Sequence, residues 1–222
     1  MTRIARLGTL AGLLAAGLIL GVMVSSAPPA DAAAGHGATG ARATFHDAMR
    51  KLWEDHIVWT RQYIISAATE PGDLADIGPT TARLLANQDE IGNELRPFYG
   101  AAAGDQVTSL LRAHILTAAR LIAAAKAGDS AGVESASADW YANARDIAVA
   151  LNGLNPRQWA LIDLDTMMKD HLDLTLDEAV ARLQGRYPDD IAAYGAVHAE
   201  ILSMADMLSD GIIAQFPSKF AH

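Results

Sequence analysis

Phe45-His46-Asp47-Ala48-Met49-Arg50-Lys51-Leu52-Trp53-Glu54-Asp55-His56-Ile57-Val58-Trp59-Thr60-Arg61-Gln62-Tyr63-Ile64 decides the fold class. Leu52, Trp53, His56, Trp59, Tyr63 and Ile64 recur at spacings of three and four, with charged residues between them. That period places one apolar stripe along a helix, and nothing in the stretch alternates with the period of two that a strand requires. The predicted helix runs from about Phe45 to Thr69 and ends at Pro71-Gly72.

The same pattern continues to the end of the chain. Pro79 sits in the first turn of a second helix, where proline is tolerated. Leu84, Leu85, Gln88, Ile91, Gly92 and Leu95 form its stripe, and Pro97-Phe98-Tyr99-Gly100 interrupts it. A third helix spans about Ala101 to Ala127 and closes at Gly128. A fourth covers about Ala131 to Asn152. Asn155-Pro156 reads as the cap and first position of a fifth, which reaches His171. Thr175-Leu176-Asp177-Glu178 reads as a capping box opening a fresh helix. The last starts at Pro188, with Asp189 and Asp190 favouring its N-terminal end, and runs to about Gln215. The expectation is an all-α fold, an antiparallel bundle of about five or six helices joined by short connections.

A weak internal repeat runs through it. Asn87, Ile91 and Leu95 match Asn143, Ile147 and Leu151 at an offset of 56, and Leu110 to His114 match Met167 to His171 at an offset of 57, as Gly128 matches Gly185. Two related helical hairpins, or a chance match of amphipathic helices, would each give this pattern.

Ahead of the bundle, Arg3 and Arg6 precede an apolar run from Leu7 to Val24, followed by small residues through Ala34. A basic start, an apolar run and a small-residue site are the parts of a secretory signal peptide. The expected organisation is a signal peptide and cleavage region over 1–34, a flexible lead-in over 35–44, the bundle domain over 45–217 and a short tail over 218–222. An uncleaved anchor is the alternative for the first segment. The expected location is extracytoplasmic, secreted or in the cell envelope, with no membrane span in the mature part. The chain has no cysteine, so disulfides, thiolate metal sites and cysteine nucleophiles are excluded. Net charge is −9 overall and −10 once Arg3, Arg6 and Asp31 are set aside, so nucleic acid and anionic lipid are not expected partners.

Four histidines carry the functional expectation. His56, His114, His171 and His198 each lie on or beside the apolar stripe of a different helix. One inward imidazole per helix is what a metal site in a bundle core needs, and neutral imidazole suits zinc, copper or iron. Asp173, two residues beyond His171 at the expected helix break, is a candidate fifth group. No acidic residue stands three positions before any of the four, which disfavours a di-iron carboxylate centre. Asn87, Gln88 and Asn143 fall beside core positions, either as partners of the histidines or as interhelical hydrogen bonds. The readings that follow are core binding of a metal ion or small ligand, an interaction or envelope-structural protein with merely structural histidines, and an acid–base enzyme using His171 and Asp173. A metal site requires the imidazoles to converge, an interaction protein an exposed apolar patch, and an enzyme a cleft beside His171.

Leu52 to Arg61, Asn87 to Asn93, His171-Leu172-Asp173-Leu174-Thr175 and Met204 to Ile213, taken as strings, resemble a group of small, often exported, all-helical bacterial proteins sometimes labelled glycosyltransferase. The resemblance covers about residues 45–217 and brings no assigned catalytic residues. Sugar-nucleotide transfer calls for a doubly wound α/β domain or a membrane-embedded bundle. This sequence offers neither strands nor spans, so that activity is not expected.

Overall fold

The structure is a computed structural model that describes residues 30–70 and 72–221, with side chains from Thr39 onward. The expected signal peptide lies largely outside the described residues. Six helices follow in order: α1 (Ala30–Ala67), α2 (Ile77–Tyr99), α3 (Ala101–Ala127), α4 (Ser130–Leu154), α5 (Leu161–Leu183) and α6 (Tyr187–Gln215), with a short 3₁₀ turn over Pro217–Phe220. No strand is present among the described residues. The all-α bundle expected from periodicity is therefore what forms, with six helices.

Each helix packs antiparallel on the next, and α6 returns to α1, which closes the six into a ring. Cross-helix contacts fix the register. Arg50 pairs with Asp206 at 2.8 Å and Arg61 with Asp190 at 2.8 Å across α1 and α6, and the Asn143 amide donates to the Leu110 carbonyl across α3 and α4 at 3.1 Å. The odd helices consequently run in one direction, and α1 also touches α3 and α5. The core is the stacked interior of this ring, with Trp53, Ile57, Ile91, Leu111, Trp140, Ile147, Leu172, Ile201 and Met204 all buried.

α1 begins at Ala30, so the helix runs through the stretch expected as a lead-in. α3 is long and apolar enough, at a mean hydropathy of 1.3, to cross a membrane by length and composition, where the sequence reading expected no further run of that kind. Its Leu111, His114, Ile115, Leu121 and Ile122 are packed inside the ring.

Two local readings are corrected. α5 does not break at Thr175. Its hydroxyl donates back to the His171 carbonyl at 2.8 Å, a bond made inside a helix, and Glu178 turns to Arg61 at 2.6 Å instead of capping. Asn155 does not cap a helix starting at Pro156. It is buried, and its amide donates to the Gly211 carbonyl at 2.9 Å; the chain turns through Trp159 before α5 starts at Leu161. Trp159 is fully buried and turns the nitrogen edge of its indole to Gly211, where an added Cβ would come within 2.0 Å of the indole nitrogen. Gly211 is thus what lets this connection seat against α6.

The spacing noted in the sequence extends to a third hairpin. His56, His114 and His171 occupy equivalent positions on α1, α3 and α5. Asn87-x-x-x-Ile91-x-x-x-Leu95 on α2 and Asn143-x-x-x-Ile147-x-x-x-Leu151 on α4 are joined by Glu200-x-x-x-Met204-x-x-x-Leu208 on α6. The six apolar members of these strings are all buried. Gly128 and Gly185 close α3 and α5 with φ of +68° and +69°, the left-handed conformation that favours glycine.

Candidate metal centre

Since α1, α3 and α5 run the same way, equivalent residues on them share one depth. The rings of His56, His114 and His171 therefore meet on the bundle axis. Their centroids are 5.7 Å apart for His56 and His171, 6.2 Å for His114 and His171, and 6.5 Å for His56 and His114. Each residue is 3–4 % exposed. Trp53 stands at 5.9 Å from the His56 ring and Trp140 at 5.3 Å from the His114 ring.

The outer helices set the imidazoles' hydrogens. The Asn143 amide N–H donates to the Leu110 carbonyl, which turns its Oδ1 toward His114 Nδ1 at 3.0 Å. That nitrogen must donate, so the His114 proton sits on Nδ1 and the Nε2 lone pair is left free. His171 repeats the arrangement one hairpin later, with Nδ1 at 3.0 Å from Glu200 Oε2. In the first hairpin Asn87 also donates to a carbonyl, that of Leu52, at 3.0 Å. Its oxygen, however, accepts from Gln88 Nε2 at 3.0 Å. His56 Nδ1 is left buried with no hydrogen-bond partner, as are Gln88 Oε1, Trp53 Nε1 and Trp140 Nε1. With Glu200 Oε1, also unpartnered, five such atoms belong to residues of this layer of the core, where each costs about 1–3 kcal/mol.

Burial disfavours the charged form of two of the three imidazoles. Loss of water pushes His56 well below the ordinary histidine range, helped by the nearby His171 and His114 charges and opposed by Gln88. His114 is pushed down to about 3, first by burial and then by His171, against the favourable bond to Asn143.

Three imidazoles bound to one zinc at about 2.0–2.1 Å stand with ring centres about 5 Å apart. The trio is wider by about 1 Å, and among the described residues no group of three or more His, Asp or Glu side chains stands at metal-holding spacing.

The other two sequence candidates lie elsewhere. His198 is on α6, a third exposed, and bonds Glu54 through Nε2 at 2.8 Å. Asp173, on an unbroken α5, points away from His171 and bonds Lys169 and the Tyr141 hydroxyl on the surface side. Those bonds, Lys169 first, hold its carboxyl below the usual range. The carboxylate that does reach His171 is Glu200, which the sequence reading passed over. Its signal was the common separation of 29 residues, His114 to Asn143 and His171 to Glu200.

A second polar cluster was also missed. Arg61 is held between Glu178 at 2.6 Å and Asp190 at 2.8 Å, with Arg182 at 3.4 Å from Asp190. Both carboxylates are 1 % exposed. Burial pushes Glu178 up to about 7 against the pull of Arg61. Comparison with protein-family models, curated proteins and solved structures finds no match to this chain.

Proposed function

We propose that the protein binds a divalent transition metal, zinc, copper or iron, through Nε2 of His56, His114 and His171. What supports this most is the trio itself: three buried imidazoles at one depth, two of them with Nδ1 already committed to an outer acceptor. Metal-bound histidines characteristically donate their second nitrogen in this way, which fixes the tautomer and orients the ring. The lowered proton affinity of His56 and His114 also spares the metal from competing with protons at those two nitrogens near pH 7. His198 and Asp173 take no part. The basic start and apolar run of the first 34 residues support an exported location for this activity.

Acid–base chemistry is the second reading, and it moves from Asp173 to Glu200. An open surface depression of about 370 Å³, lined by Asp163, Thr166, Met167, Asp170, Ser203 and Glu200, brings solvent to the carboxylate that His171 bonds. An interaction role finds less support, since the large exposed apolar side chains (Leu74, Leu116, Val149, Ile162, Tyr187 and Ile191) are spread over the loop after α1 and over four helices.

Elemental analysis of tag-free protein tests the metal reading. Wild type is expected to retain about one equivalent of zinc, copper or iron, and a His56→Ala/His171→Ala variant to retain none, given three protein ligands at such a centre. At free metal about 100 times the dissociation constant, the wild type should also gain about 2.7 kcal/mol of stability. No metal in either protein, with thermal midpoints indifferent to added metals, would sink the proposal.

A further inference from the structure

One turn beyond each core histidine stands a short side chain: Thr60 on α1, Ala118 on α3 and Thr175 on α5. Leucine-sized residues there would fill the axis. Instead these three, with Ile64, Ile122 and Trp140 among others, enclose a cavity with about 30 Å³ of room for the centre of a water-sized sphere. That is enough for one or two waters by volume. By chemistry it is a poor place for them. Both threonine hydroxyls are spent on backbone carbonyls one turn back, Thr60 on His56 and Thr175 on His171, each at 2.8 Å. Among the fully buried polar atoms of the described wall residues, the one without a partner is the indole N–H of Trp140, a residue 2 % exposed. A water needs two to four polar partners to be held, and a single donor does not supply them.

The cavity is not sealed. It shares Tyr63 and Ile122 with an outer depression of about 400 Å³ at the end of the bundle. Lys126 lies across that depression, bonding the Ala67 and Thr69 carbonyls at 2.7 Å and Asp73 at 2.9 Å. The cavity and the bundle end thus have two wall residues in common.

We propose that this axial cavity is a binding site for a small uncharged guest of diatomic-gas size, walled by apolar side chains and offered one hydrogen bond by Trp140. A charged or strongly hydrated molecule would lose its water shell without compensation there. The site does not depend on a metal at the histidines, and its test is made on metal-free protein.

The probe is xenon, read through indole ¹H–¹⁵N signals of chelator-treated, ¹⁵N-labelled protein, with Trp140 assigned from a Trp140→Phe variant. Trp159, whose N–H donates to the Met207 carbonyl at 3.3 Å away from this cavity, is the internal control. The Trp140 signal is expected to move and saturate under xenon while that of Trp159 stays. Ala118→Leu should abolish the response, and Ala179→Val, another filling substitution in the wall, serves should the first variant fail to fold. No movement, equal movement of both indoles, or a response that survives filling would overturn the proposal.

Discussion

Replacing Arg61 by methionine is expected to destabilise the protein by about 3–5 kcal/mol, the usual cost of leaving buried charge without its partner. Among the described residues Arg61 is the only cation paired with both carboxylates: Glu178 at 2.6 Å and Asp190 at 2.8 Å, each almost wholly buried. Without it Asp190 keeps Arg182 at 3.4 Å, while Glu178 keeps no cation within bonding distance. The loss should fall on the seam where α6 returns to α1, the contact that closes the ring. Urea unfolding of Arg61→Met against wild type measures it. Adding Glu178→Gln should restore part of the loss, since a neutral amide tolerates burial better than an unpaired carboxylate. A cost under about 1 kcal/mol, the range of exposed ion pairs, would show that water reaches the cluster.

Acid should weaken the metal-free fold through the core histidines. The sign follows from where protons bind. His114 takes its proton near pH 6.5 when unfolded and only near pH 3 when folded, so between those values the unfolded chain binds more protons and stability rises with pH. From pH 6.5 down to pH 4.5 this amounts to about 2–3 kcal/mol for His114 alone. His56, shifted the same way, adds to it. Glu178 runs opposite. Its folded value near 7 lies above that of an unfolded glutamate, so its contribution falls as pH rises through about 4.3 to 7. Two histidines against one carboxyl leave a net loss toward acid. Unfolding free energies across this range, compared with a His114→Asn variant, check the account. The variant should lose about 2–3 kcal/mol of the pH dependence that wild type shows, and an unchanged slope would refute the assignment to His114.

Much of this was legible in the sequence, and the failures have physical causes. A period near 3.6 and no strand pattern sufficed for an all-α bundle. Equal spacing along three helices placed His56, His114 and His171 on apolar stripes, but a stripe does not reveal depth. Depth came from the antiparallel register, which long-range pairs such as Arg50–Asp206 fix. His198 lies on a stripe as well, yet its helix is an outer one and the ring turns it to Glu54. Thr175 and Glu178 satisfy a capping-box spacing that tertiary structure overrode, since Glu178 found a better partner in Arg61. The third copy of the repeat went unseen because Glu200 stands where the other two copies have asparagine, a change of residue type that keeps the hydrogen-bonding role.

Ring closure also bears on chain connectivity. Phe45 near the start of the bundle packs at a tilt against Phe220 near its end, with ring centroids 5.2 Å apart, so the two ends of the bundle meet. A short linker there, with a cut at Gly100 or in the turn between Asn155 and Ala160, would give a circularly permuted chain with the same six helices, the same three hairpin pairings and the same histidine layer. Each hairpin would then occupy the first, second or third place in the sequence without changing its neighbours in space.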